Sequence, residues 1–200
     1  MIDQTLALSL LGAYLLGGIN AGYYLVWFMK HQDLRTLGSS TVGAVNAGRV
    51  LGTAGFVTVF AADSLKGALV VFLAGQAGVA PQWLPWVLGC AVVGHIFPIQ
   101  LGLRGGKGIC TLAGGILPYD IGFFSVNLAL YLILYATTRN RLLAGAPVFA
   151  SMPFTAWLWG KSPMEISGLL VVTSLVLWVH RENFRRRGRE ITTDREGKGL

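Results

Sequence analysis

The sequence predicts an all-α fold: a polytopic membrane helix bundle of about seven transmembrane helices, one of them short or half-length. Three observations lead there: too few charges for water, repeated long apolar runs, and basic residues gathered in particular loops. Of 200 residues, 54% are hydrophobic and 12% charged, against about 25% charged in a soluble domain. The mean hydropathy is +0.60. So little polar surface cannot keep the chain in water, and lipid is the expected solvent. The length suits a single membrane domain, residues 1–190, with a polar cytoplasmic tail at 191–200.

A membrane-crossing helix needs about 20 mainly apolar residues. The stretches 4–29, 50–74, 83–103 and 164–180 meet this, with 142–160 close behind. The N-terminus, Met1-Ile2-Asp3-Gln4, lacks the basic segment of a signal peptide, so the first run is expected to remain as a helix. Lys30, Arg35 and Arg49 fall in the first loop, Arg104 and Lys107 in the third, and Arg139 and Arg141 in a later one. Seven of the sixteen Lys and Arg lie between Arg181 and Lys198. The loops around 75–83 and 161–163 carry only Lys161. By the positive-inside rule the basic loops are cytoplasmic and the N-terminus external. In this context the formal charge of +7 marks a membrane side, not nucleic-acid binding.

This assignment sets a parity problem. If 104–108 and 137–141 are both inside, the 28 residues of 109–136 cross twice or not at all. One continuous helix of that length spans about 42 Å, enough for one crossing only. Pro118-Tyr119-Asp120 offers the break. A half-helix over 109–117 and a return helix over 120–136 are therefore expected, the short element lining a cavity. Cys90 and Cys110 show no CxxC spacing and read as small buried hydrophobes, with neither a metal site nor a disulfide indicated.

Three polar stretches carry candidate chemistry. Gly38-Ser39-Ser40-Thr41-Val42-Gly43-Ala44-Val45-Asn46-Ala47-Gly48-Arg49 is small, polar and glycine-spaced. Its glycines let backbone N–H groups turn inward as an anion nest, and Arg49 can grip phosphate oxygens in bidentate fashion. A flexible loop feeding the next helix is the plainer reading. Gly94-His95-Ile96-Phe97-Pro98 runs on to Arg104-Gly105-Gly106-Lys107-Gly108, which lacks the spacing of a Walker motif; His95 reads as a structural, hydrogen-bonded histidine. His180-Arg181-Glu182-Asn183 opens the basic tail. Lipid anchoring explains its arginines but not His180 and Asn183, one helical turn apart. Asp63 and Lys66, three apart in an apolar helix, are expected to pair inside the bundle as a structural lock.

At these residues the chain resembles the acyl-phosphate-dependent glycerol-3-phosphate acyltransferase family, PlsY. The likeness rests on Gly38, Ser39, Gly43, Ala44, Asn46 and Arg49; on His95, Phe97, Pro98 and Gly105 to Gly108; on His180 to Asn183; and on Asp63, Lys66 and Gly67. It runs from about residue 10 to 190. Ser40-Thr41 stands where the family has Gly-Asn, Val45 for Thr, and Arg104 for Lys. The family's Arg-Tyr-x-Ser-Leu-x-Ser reads Arg139-Asn140-Arg141-Leu142-Leu143-Ala144-Gly145, without either serine.

The resemblance implies an enzyme of bacterial phospholipid synthesis. It would transfer a fatty acyl group from acyl phosphate to the 1-hydroxyl of sn-glycerol 3-phosphate, giving lysophosphatidic acid and phosphate. It implies the bacterial cytoplasmic membrane, the bilayer as surroundings, and no cofactor, metal, nucleic acid or obligate protein partner. By position, Ser39, Arg49, Lys107, His180 and Asn183 form the catalytic set, and Gly38, Ser40, Thr41, Gly43, Asn46, Arg104, Gly105, Gly106 and Gly108 bind substrate. Arg49 and Lys107 would neutralise phosphates, and Ser39 with nearby amides would steady the oxyanion. His180 would position the acceptor while substrate phosphate takes the proton. No Asp follows His31, His95 or His180 five residues on, so the His-x-x-x-x-Asp dyad of other acyltransferases is absent. A transporter or binding protein for a phosphorylated metabolite is the rival from another class, and an acyltransferase for another polyol phosphate the rival within it.

Overall fold

The protein is described here by a computed structural model covering residues 3–185. The tail at 191–200 and Arg186 and Arg187 lie outside the described residues. Among the described residues α1 (Gln4–Gly17), α2 (Ala21–Lys30), α3 (Ala44–Gln76), α4 (Leu84–Ile96), α5 (Ile109–Tyr119), α6 (Ile121–Thr138), α7 (Arg141–Leu158) and α8 (Pro163–Val179) follow in chain order, with a short helical stretch, 181–185, after α8. Short 3₁₀ turns at Leu34–Thr36, Pro81–Trp83 and Ile99–Leu101 punctuate the loops, and among the described residues there is no strand.

α1 and α2 together make one apolar span, Gln4–Lys30, so the described residues form seven helical passes of the bundle, four of them long and apolar enough to cross a membrane. The expected continuous helix over 4–29 is instead broken at Gly18-Ile19-Asn20, which frees the carbonyl groups of Gly18 and Ile19 to accept from Gln100 and Lys66. The half-helix is there: α5 has 11 residues, about 16 Å, roughly half of a ~30 Å hydrocarbon core. Asp120 ends it and caps α6, its carboxylate accepting from Phe123 N–H at 2.8 Å. Lys161 and Asp120 meet at 2.7 Å and tie the far end of α5–α6 to the α7–α8 turn.

α3 starts earlier than the hydropathy suggests, at Ala44, and bends at Gly52 (φ 73°, ψ −166°). The short segment before the bend rims one end of the bundle and the longer one crosses it. Between α3 and α5 the backbones touch: a Cβ on Gly67 would lie 2.0 Å from Thr111 O, and one on Gly114 2.0 Å from Ser64 O. In lipid, apolar side chains gain little by leaving one apolar medium for another, and such close contact drives helix association. Outward faces stay apolar, with Leu8, Leu15, Phe72, Leu132, Ile133 and Trp157 exposed. The inner core joins Val71, Leu88, Val92, Leu112, Phe123, Met152 and Leu169 across six helices. Cys90 and Cys110 are half-buried rather than buried, and both are free.

The 97–108 segment, expected to be helical through 103, leaves the helix at Phe97 because Pro98 cannot continue it. Its polar backbone is satisfied from several directions. Tyr14 donates to Phe97 O at 2.8 Å, Arg35 to Leu101 O at 2.6 Å, and Leu101 and Leu103 N–H to Pro98 O.

Candidate active site

Loop 31–43, segment 97–108 and the end of α8 converge on one cleft of about 430 Å³. Arg35, Arg104, Lys107 and Arg181 line it against one carboxylate, Glu182, beside an apolar wall that includes Ile96, Phe97, Leu103 and Trp178. Of the residues singled out from the sequence, Ser40, Thr41, Arg104, Gly105, Gly106 and Lys107 face this cleft. Its character is cationic at one side and apolar at the other, which suits an amphiphilic anion.

Lys107 closes the site from below, its ammonium donating to Asn183 Oδ1 at 2.6 Å. Asn183 is carried on a short helical stretch, 181–185, after α8, where Asn183 N–H donates to His180 O at 2.9 Å. His180 is 7% exposed, and its Nδ1 stands 2.7 Å from Val176 O. A carbonyl only accepts, so Nδ1 carries the hydrogen and Nε2 is left as an acceptor. Burial holds His180 below the usual histidine pKa, and the charge of Lys107 lowers it further, against the raising effect of the Val176 bond.

Asn46 plays another part than the expected substrate contact. It is fully buried at the start of α3; its amide donates to Leu34 O, Leu37 O and Thr41 O at 2.8–3.1 Å, and its Oδ1 accepts from Ser39 N–H at 2.9 Å. Both ends of the side chain are engaged by the loop it shapes. Gly38 (φ 54°) belongs to the same support, since a Cβ there would lie 2.2 Å from Asn46 Oδ1. Gly43 is the N-cap residue of α3 and Gly108 (φ 82°) that of α5.

Two amides of the expected nest, those of Ser39 and Ser40, are engaged within the protein, and so are those of Gly105 and Gly106 in the second loop. Ser39 N–H is taken by Asn46, Ser40 N–H by Leu37 O, Gly105 N–H by Ile96 O and Gly106 N–H by His95 O. Gly105 and Gly106 serve close approach instead: Cβ atoms on them would lie 2.0 Å from His95 O and His95 Nε2. Hydroxyls remain, with Ser39 Oγ 3.3 Å from Thr41 Oγ1. Arg49 stands apart, lining a neighbouring cleft of about 360 Å³ with Gly48, Gly52, Thr53, Phe56 and Arg141. Among the described residues neither the Arg49 nor the Arg141 side chain forms a hydrogen bond or an ion pair.

Sequence reasoning missed Arg35, Arg141, Trp178 and Glu182. Arg35 was visible as a loop cation, but its bonds to Asp33 (2.7 Å) and to Leu101 O join two distant loops. Among the described residues no group of three His, Cys, Asp or Glu converges as a metal site.

Comparison with known proteins decides the family. Residues 7–189 match the family model described as glycerol-3-phosphate acyltransferase. The chain belongs to the glycerol-3-phosphate acyltransferase family. A glycerol-3-phosphate acyltransferase of Desulfitobacterium hafniense is 41% identical over 176 residues, 88% of this chain and 87% of that one. One from Pseudomonas entomophila is 35% identical over 175 residues, 86% and 90% of the two chains. Two crystal structures of PlsY, an integral membrane glycerol 3-phosphate acyltransferase, share the fold over 92% of each chain. The glycerol 3-phosphate form gives a TM-score of 0.85 at 29% identity, and the lysophosphatidic acid form 0.82 at 27%. Membership makes this chain an integral membrane acyltransferase with bacterial relatives.

Proposed function

We propose that the protein transfers a fatty acyl group from acyl phosphate to the 1-hydroxyl of sn-glycerol 3-phosphate. The hydroxyl oxygen attacks the acyl carbonyl carbon, the bond from that carbon to the phosphate oxygen breaks, and the hydroxyl proton ends on the departing phosphate. Lysophosphatidic acid and inorganic phosphate leave. The single observation that carries this reading is the Lys107–Asn183 contact of 2.6 Å inside a cleft with cations on one side and an apolar wall on the other.

Two anions must be brought together, so the cations divide the work. Lys107, steadied by Asn183, neutralises charge at the reacting phosphate, and Arg49 holds the other phosphate. Ser39 and Thr41 offer hydroxyls to the oxyanion. His180 Nε2 accepts from the attacking hydroxyl and orients it, while phosphate takes the proton. The apolar wall takes the start of the acyl chain. The basic loops share one end of the bundle, and we assign that end to the cytoplasmic side of a bacterial inner membrane, with the N-terminus outside.

The test is phosphate release by purified protein in lipidic mesophase. Release from acyl phosphate only when glycerol 3-phosphate is present is the expected result. Acylation from acyl-CoA with no turnover of acyl phosphate would overturn the donor assignment.

A further inference from the structure

Beneath the cleft lies a buried polar cluster that the proposed reaction does not use. Lys66 Nζ is 2.8 Å from Asp63 Oδ1, 2.8 Å from Ile19 O and 2.7 Å from His95 Nδ1. The Asp63 contact is an ion pair too bent for a hydrogen bond, whereas the other two have hydrogen-bond geometry. Beside a carboxylate the amine keeps its three protons, and an ammonium has no lone pair to offer. Whatever meets it at 2.7 Å must accept. His95 Nδ1 is therefore unprotonated, and the neutral ring carries its hydrogen on Nε2.

That edge of the ring faces the glycine turn of the cleft. A Cβ on Gly106 would lie 2.0 Å from His95 Nε2, so Gly106 rests directly on the imidazole. The backbones are tied at the same place, Gly106 N–H to His95 O and Gly105 N–H to Ile96 O, each at 3.0 Å. Lys107 is the next residue and reaches Asn183. Contacts thus run unbroken from Asp63 through Lys66, His95 and Gly106 to Lys107.

We propose that Lys66 and His95 are positioning residues for Lys107. Lys66 fixes the tautomer and the seat of the His95 ring, and the ring sets how deep the Gly105–Gly106 turn, and with it the Lys107 ammonium, stands in the cleft. A tether between α3 and the break after α1 needs only Asp63, Lys66 and Ile19; the contact of His95 with Gly106 has no part in that. A long flexible lysine gains most from such a seat, since its head group must be held within about 0.5 Å to act. The kinetic side of this inference rests on the proposed acyl transfer; the tautomer does not.

The first measurement is ¹⁵N NMR of the full-length protein labelled at histidine, with His95 assigned by its loss in His95→Gln. The wild type should show hydrogen on Nε2 and an accepting Nδ1, and Lys66→Met should give a mixture of tautomers. The second is a double-mutant cycle. Gly106→Ala drives a methyl into the ring and should lower kcat about a hundred-fold, with KM for either substrate moving less than about three-fold. In His95→Ala/Gly106→Ala the methyl occupies the space of the ring, so the double variant should be no slower than Gly106→Ala alone. Hydrogen on Nδ1 in the wild type, or losses that simply multiply in folded variants, would overturn the proposal. Should variants fail to fold, the wild-type tautomer decides it. Absence of acyl phosphate turnover by the wild type would sink the proposed reaction and leave the NMR result standing.

Discussion

Lys107 and Asn183, 76 residues apart in sequence, meet at 2.6 Å. One follows the glycine turn seated on α4; the other rides on the short helical stretch, 181–185, that follows α8. The contact makes two motifs into one site. Asn183→Leu removes this acceptor from Lys107; a charge-assisted bond of this kind contributes about 1.5–3 kcal/mol, so kcat/KM should fall about ten- to a hundred-fold. Lys107→Arg should rescue only part of the loss in Lys107→Ala, because a planar fork does not replace a compact ammonium. Steady-state kinetics with each substrate varied in turn checks both.

The His180 ring should give the enzyme an acid limb. Its pKa is held below the ordinary value, by burial first and then by Lys107. A group whose folded pKa is depressed adds stability above its unfolded value, near 6.5 for histidine. That stability is lost as pH falls from there through the folded value. Thermal stability should therefore hold at neutral pH and decline below about 6.5, and activity should fall only at the lower pH where Nε2 of the folded protein changes from acceptor to donor. In His180→Gln the part of the decline due to the ring should vanish, as a pH profile of both proteins will show.

Arg141 should tune acceptor binding. It shares a cleft with Arg49, and two like charges in one cavity are a cost that an anion relieves. It also stands in the segment from which the family serines are missing. Arg141→Ala should raise KM for glycerol 3-phosphate by about ten-fold with kcat nearly unchanged, the signature of lost uniform binding. Initial-rate kinetics at fixed acyl phosphate measures it.

Asn46 should act through the loop. Asn46→Ala leaves Ser39 N–H and Thr41 O without this partner, while Leu34 O and Leu37 O keep the backbone bonds from Leu37 and Ser40 N–H. Each buried group left unpaired costs about 1–3 kcal/mol. The thermal midpoint should drop and kcat with it, and Asn46→Asp, which keeps only the acceptor, should be nearly as impaired.

Much of this fold was legible because hydropathy and loop charge are local. The basic residues at Lys107 and Arg139 forced an even number of crossings between them, and Pro118 with Asp120 showed where the half-helix ends. The break at Ile19 was not legible, since Gly17-Gly18-Ile19-Asn20 keeps the apolar run alive and its partners lie on α3 and beyond α4. Pairing of Asp63 with Lys66 was legible from spacing alone, whereas the third member, His95, comes from another helix. Glycine-rich loops suggested amides aimed at an anion. Asn46 and the carbonyls of His95 and Ile96 take three of those amides, at Ser39, Gly106 and Gly105, and only tertiary structure brings them near.

The most direct test of the central claim follows an oxygen atom. Acyl phosphate carrying ¹⁸O in the bridge between carbonyl carbon and phosphorus is turned over with glycerol 3-phosphate, and both products are weighed by mass spectrometry. Attack on the carbonyl carbon predicts that all the label leaves with inorganic phosphate and none enters lysophosphatidic acid. Label kept on the acyl product, or free fatty acid in place of lysophosphatidic acid, would contradict direct acyl transfer at the Lys107–Asn183 site.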